Sequence, residues 1–244
     1  MSFPSTAWQL LDDVRAKSAP NAESYRAAIN RLTCLYWRPV YGFLRARGQT
    51  HEAAEELTQE FWLWCFEKRV LSVADPQRGR FRSFLLAVLK NFVADHSPDR
   101  QRRQSAFEVG LVPVSVLARG KEEESACFEP AQSLTPDEIF MRRWAESLIL
   151  AVGEQLRMRC IERGRTDWYV IFERFHFPPP GSKRPSQEEL AASLGVSRDQ
   201  IRYALDQTGD QFGHLLREML ADQVTTPAEL NSELVELERL LGRR

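Results

Sequence analysis

SQEELAASLGVSRDQIRYAL, residues 186–205, reads as two short helices around a tight turn. Ser186 with Glu189, and Ser197 with Gln200, each place a hydroxyl three residues before a Glu or Gln side chain. That is the reciprocal cap that starts a helix. Leu194-Gly195-Val196 lies between the two boxes, and Gly195 can take the positive φ that the turn needs. The spacing predicts a helix over 187–193 and a second whose first turns expose Arg198, Asp199, Gln200, Arg202 and Tyr203. Ala191, Ala192, Leu194, Val196, Ile201 and Leu205 would form the small core that fixes the crossing. In a helix-turn-helix the early positions of the second helix face base edges in the major groove. Ser197, Arg198, Gln200, Arg202 and Tyr203 are therefore candidate DNA contacts. Charge works against them: residues 186–224 carry three arginines and seven acids. Phosphate neutralisation supplies most non-specific affinity, so this module alone should hold DNA weakly.

Outward from this motif the periodicity is helical, with no sustained alternation of β-branched residues. Helices are expected over 6–17, over 22–47 with a kink or restart at Pro39, over 52–68, and over 81–96. Gly48 reads as a helix stop, and Asp75-Pro76-Gln77-Arg78-Gly79 as a turn. From Ser105 to Leu134 the pattern dissolves into Ser, Gly, Pro and a Lys121-Glu122-Glu123-Glu124 run, which reads as a flexible linker. Thr135 with Glu138 opens a helix over 137–163, a further helix covers 167–177, and Thr226 with Glu229 opens a last one over 230–241. The expected fold is all-α: a helical domain over 1–104, a linker over 105–134, and a second helical domain over 135–244.

The chain has 244 residues, enough for two small cores, and no run approaches the roughly 20 apolar residues of a membrane helix. The first residues carry aspartates where a secretory signal would be basic and then apolar, so the expectation is a cytoplasmic protein without membrane insertion. Cys34, Cys65, Cys127 and Cys160 and the four histidines are scattered, so no metal site or cofactor is expected. Cys34 and Cys65 fall in apolar helical runs, where cysteine acts as a small hydrophobe. Neither a nucleophile elbow, a phosphate loop nor a paired-carboxylate pattern points to an enzyme.

Net charge is −1 but unevenly spread: +5 over 1–104, −3 over 105–134 and −3 over 135–244. The basic excess concentrates in 78–103, where seven cations face two acids. There Arg78, Arg80, Arg82, Lys90, Arg100, Arg102 and Arg103 surround Phe81, Phe84 and Phe92, with Asn91 and His96 as polar readers. Cations along a backbone path and aromatic faces for bases are what single-strand binding requires. Phe81, Leu85 and Phe92 themselves fall on core positions.

HEAAEELTQEFWLWCFEKR, residues 51–69, has a different character. Ala53, Leu57, Phe61 and Trp64 make its expected buried stripe, and Glu52, Glu55, Glu56, Gln59 and Glu60 its solvent face. Trp62 falls about 100° off that stripe, using 3.6 residues per turn. An aromatic beside a carboxylate row suggests an interface for a basic protein partner.

Taken together, YWRPVYGFLRARG (36–48), EAAEELTQEFWLWCFEKR (52–69), ADPQRGRFRSFLLAVLKNFVADH (74–96) and the helix-turn-helix make the chain resemble the bacterial extracytoplasmic-function sigma factors. The tail ADQVTTPAELNSELVELERLLG (221–242) is similar to the extension of their planctomycete-like long-tailed type. The resemblance implies a sigma factor that binds core RNA polymerase and directs promoter-specific initiation, promoter melting included. It implies that Glu55, Glu56, Leu57, Gln59, Glu60, Phe61 and Trp62 grip polymerase. It assigns Arg78, Arg80, Arg82, Lys90, Asn91, Asp95, His96, Arg100, Arg102 and Arg103 to the melted downstream promoter element, and residues 186–205 to the upstream one. An inhibitory regulatory protein, an anti-sigma factor, is a further implied partner. Two features depart from the family pattern: Ser97-Pro98 interrupts the helix before the last three arginines, and DQTGDQFG (206–213) is acidic where relatives are basic. The alternative is an interaction protein on the same fold that keeps the polymerase-facing helix but does not read DNA on its own.

Overall fold

The structure is a computed structural model and describes residues 22–75, 78–95, 134–179, 181–221, 224 and 226–242. The expected helix over 6–17 and the linker over 105–133 lie outside the described residues. Among the described residues every regular element is a helix: α1 (Ala22–Ala46), α2 (His51–Glu67), a short 3-10 turn (Val70–Val73), α3 (Phe81–Asp95), α4 (Pro136–Glu162), α5 (Thr166–His176), α6 (Gln187–Leu194), α7 (Arg198–Ala221) and α8 (Pro227–Gly242). The all-α class holds. No described helix is long and apolar enough to cross a membrane.

The local start signals work as the sequence suggests, because each satisfies backbone groups within one turn. Thr135 N–H donates to Glu138 Oε2 at 2.9 Å while Glu138 N–H donates back to the Thr135 hydroxyl at 3.3 Å. The same reciprocal pair closes at Ser186/Glu189 and at Ser197/Gln200. Thr226 accepts from Glu229 N–H at 3.2 Å. Helix α1 runs through Pro39 as one element, so the helix does not restart there. Pro39 is buried with Val40, Phe43 and Leu44, and packing holds the helix where one backbone bond is lost.

The chain divides into two compact units. The first comprises the described parts of residues 1–147 and 222–244, the second residues 148–221, and the boundary falls inside α4. The sequence boundary at 134/135 does not coincide with this division. The first turns of α4 and all of α8 pack with α1–α3, whereas the sequence reading assigned them to the helix-turn-helix domain.

The core of the first unit is aromatic. Tyr36 of α1 meets Phe81 of α3 edge-on at 5.3 Å, and Phe61 of α2 meets Phe92 of α3 the same way at 5.4 Å. Such pairs favour one geometry beyond the area they bury. Phe81, Leu85 and Phe92 are thus core, as their spacing indicates. Cys65 is buried among them, and burial pushes its thiol up to about 12. Cys34, by contrast, is exposed, so it does not serve as a core residue.

The second unit has two clusters, joined by α5 through Ile171 and Phe172 and by α7. The first half of α7 contributes Ile201, Ala204 and Leu205 to a cluster with Ile171 and Leu190. Its second half contributes Leu215 to a cluster with Val152, Leu156, Cys160 and Phe172. Helix α7 therefore continues through Gly209 and Gly213, whose flexibility costs about 1 kcal/mol each relative to alanine, because both ends are anchored. A Cβ at Gly209 would meet nothing within 4 Å. Gly209→Ala should raise unfolding free energy by about 1 kcal/mol in urea titration; a loss of stability would contradict the continuous helix.

Candidate functional site

The exposed face of α2 is built by a register that differs from the sequence expectation. The buried stripe is Ala54, Thr58, Phe61, Trp62 and Cys65. Ala53, Leu57 and Trp64 are only half-buried. The shift turns on Thr58, a polar residue that hydropathy sends outward. Its hydroxyl donates to Ala54 C=O at 2.6 Å, so it is satisfied inside its own helix and can be buried without a partner elsewhere. Trp62 follows it inward. Only 3% exposed, it stacks on Phe66 at 5.9 Å and meets Phe61 edge-on at 5.5 Å. Trp62 and Phe61 are core residues and not an outward-facing docking surface.

What remains outside is Glu52, Glu56, Gln59, Glu60, Leu63 and Glu67, an unbroken stripe at helical spacing. Leu63, 43% exposed, is the apolar element of this face, and the sequence reading missed it. Its position three and four residues after Glu60 and Gln59 was the available signal. Glu55 is half-buried and lies 3.9 Å from His51 Nε2. At the helix start its own backbone N–H and the Thr50 hydroxyl hold the Glu52 carboxyl below its usual range. The face stays anionic and carries one aliphatic side chain, the chemistry that a basic helix with an apolar stripe would complement.

The basic segment is partly occupied from within. Arg78 is 86% exposed beside Asp75 at 3.5 Å. Asn91 and Asp95 are exposed, and Lys90 pairs with Asp137 at the start of α4. Arg82, expected as a DNA contact, is instead 2% exposed. Its guanidinium lies over the Trp144 ring at 4.1 Å, and Nη1 lies 2.6 Å from Glu233 Oε2 of α8. Arg80, 40% exposed, pairs through Nε with the other oxygen of the same carboxylate. Sequence reasoning could not see this, because nothing local marks Glu233 as the partner of two arginines in a distant helix. His96, Arg100, Arg102 and Arg103 lie outside the described residues.

In the second unit, α6 and α7 flank Gly195, which closes α6 at φ 67°. Their core is roofed by α5: Trp168, Ile171 and Phe175 pack where the sequence reading placed Ala192 and Val196, which are exposed. Arg198, Arg202 and Tyr203 all point to solvent, with Arg198 Nε 3.0 Å from Glu188 and Arg202 3.4 Å from Asp199. Ser197 and Gln200 are exposed too but are engaged in the cap. Tyr203 meets Trp168 edge-on at 5.6 Å, and Arg165 lies over that indole at 4.9 Å. Arg184 covers Phe175 at 3.9 Å. These two arginines lie outside the motif and supply cations that the motif itself lacks.

No protein-family model matches this chain, and searches of the curated proteins and of the solved structures returned no match. The functional argument therefore rests on the geometry. Among the described residues no cluster of three His, Cys, Asp or Glu side chains could hold a metal ion.

Two outcomes follow. Trp62→Ala should lower stability by about 3–5 kcal/mol in chemical denaturation, while Leu63→Ala should stay within about 0.5 kcal/mol. Equal effects would place Trp62 at the surface. His176 stands against Phe172 at 4.6 Å and Phe175 at 5.1 Å; lost hydration, and then nearby Arg184, pull its pKa below 6.5. The fold therefore favours the neutral ring. Its contribution is present above pH 6.5 and fades as pH falls through the lowered value. The melting temperature of His176→Gln should depend less on pH below 6.5 than that of the wild-type chain.

Proposed function

We propose that this chain is a sigma factor: a promoter-specificity subunit that binds core RNA polymerase through the acidic stripe of α2 and reads promoter DNA through α7. The observation that carries the reading is the helix-turn-helix itself. Two complete capping boxes and a left-handed Gly195 fix α6 against α7, and the first turns of α7 present Arg198, Arg202 and Tyr203 outward. The stripe Glu52-Glu56-Gln59-Glu60-Leu63-Glu67 on the other unit fits a basic protein partner and would repel nucleic acid. A protein-binding face and a DNA-reading face on separate units of one chain are what a specificity subunit needs. Arg78, Arg80, Lys90 and Asn91 on and just before α3 are the described candidates for single-stranded promoter DNA. The reading places the protein in the cytoplasm, assigns it no catalysis and no cofactor, and leaves the same DNA-facing surfaces for an inhibitory protein to cover.

One observation favours the interaction-protein alternative. Every described DNA candidate arginine has a carboxylate neighbour, and Arg82 is sealed inside. The exposed pairs at Arg198 and Arg202 are worth little in water and are readily exchanged for phosphate, which favours the DNA-reading form.

Run-off transcription decides between them, with core polymerase from the same organism and the DNA upstream of the gene. A defined transcript should appear only when the protein is added. Arg198→Ala with Arg202→Ala should reduce it about tenfold or more, since a bidentate base contact is worth about 1–3 kcal/mol. Glu56→Lys with Glu60→Lys should abolish polymerase binding while leaving the melting temperature nearly unchanged. A transcript insensitive to the arginine pair would sink DNA reading by α7. Polymerase binding without any transcript would establish the alternative.

A further inference from the structure

The carboxylate of Glu233 has no exposed surface, and it lies between two guanidinium groups of the segment whose composition suits single-stranded nucleic acid. Its two oxygens are divided between Arg80 and Arg82. Two cations face one fully buried anion, and Glu236, half-buried three residues further along α8, also feels both guanidinium charges. The guanidinium of Arg82 also lies over the Trp144 ring at 4.1 Å, a contact that helps to position it independently of the carboxylate. This is an anion-binding fork assembled in advance, and its occupant comes from the same chain.

We propose that Glu233 occupies, on Arg80 and Arg82, the place of a nucleic-acid phosphate, so that α8 and a single strand compete for this face. The proposal rests on reading α3 as a single-strand surface. A phosphodiester matches what the fork accepts: two anionic oxygens on one centre, taken by planar guanidinium groups. The rest of α8 is attached chiefly through aliphatic side chains. Leu237 and Leu240 are its buried apolar anchors, while Val235, Glu238 and Arg239 face solvent. A helix held by leucines (Leu230, Leu234 and Leu241 half-buried beside Leu237 and Leu240) and one ion-paired carboxylate opens more readily than the aromatic core of α1–α3. When it opens, Arg80 and Arg82 are released together, because one carboxylate engages both.

A purely structural ion pair predicts no coupling. It would stay closed when nucleic acid arrives, and Arg80 would contact phosphate, if at all, from its exposed part alone. The two cases separate in the full-length wild-type chain by amide hydrogen exchange with and without a short mixed-sequence single-stranded oligodeoxynucleotide. The expected result is faster exchange across 227–242 together with protection at the start of α3. In parallel, Glu233→Gln should bind the same oligonucleotide about tenfold more tightly, with a steeper salt dependence as more phosphates are neutralised.

Oligonucleotide binding with unchanged exchange in α8 overturns the competition and leaves the single-strand reading intact. Failure of both wild-type and Glu233→Gln chains to bind overturns both. Should Glu233→Gln fold poorly, the wild-type exchange experiment still decides. Release of α8 by the oligonucleotide in a protein that gives no transcript would support the competition and sink the specificity-subunit reading alone.

Discussion

A fully buried carboxylate is an expensive thing for a protein to hold, since removing it from water costs several kcal/mol unless cations replace the lost hydration. The first unit replaces it with Arg80 and Arg82, and it orients Arg82 against the Trp144 ring. Most of what distinguishes this fold from a plain three-helix arrangement follows from that requirement. Trp144 brings the first turns of α4 to α3, and Glu233 brings α8 to the same place. Tyr36 closes the far side from α1, with its ring against Phe81 and its hydroxyl pKa pushed well up by burial. Four helices thus meet around one charge cluster, and loss of Glu233 would leave both arginines without their carboxylate.

The same cluster marks the limit of what could be read from the chain. Side-chain caps at Thr135, Ser186, Ser197 and Thr226 were legible because each is settled among four consecutive residues. The left-handed turn at Gly195 was legible for the same reason. The α2 register was not, because Thr58 reads as polar by composition yet is made buriable by a bond to its own helix. That single misplacement turned the expected face far enough to put Trp62 outside and to overlook Leu63. Arg82 failed differently. A cation between two phenylalanines in a basic segment reads as a ligand contact whenever its partner is remote in sequence, and no periodicity links Glu233 to it. The same pair joins α8 to α3 across the sequence boundary at 134/135, within the first compact unit.

Local charge balance around α7 has another meaning. Arg198 and Arg202 also face carboxylates, Glu188 and Asp199, yet all four side chains are well exposed. An exposed pair contributes less than about 1 kcal/mol and weakens further in salt. It orients the arginines without committing them. The acids that made the helix-turn-helix look poorly suited to DNA therefore impose a small handicap, and Arg165 and Arg184, each held over an aromatic ring, offset part of it from outside the motif.

The two arginine sites differ in availability although their sequences look alike. At α7 the competing carboxylates are wet, so a phosphate would displace them at little cost. At α3 the competing carboxylate is dry, and displacing it means rehydrating Glu233 and uncovering the leucines beside it. If both faces serve DNA, duplex contact through α7 is the step that needs no rearrangement, and engagement of α3 follows only when enough binding free energy has accumulated to open α8. An order of events would then be written into the burial of one carboxylate.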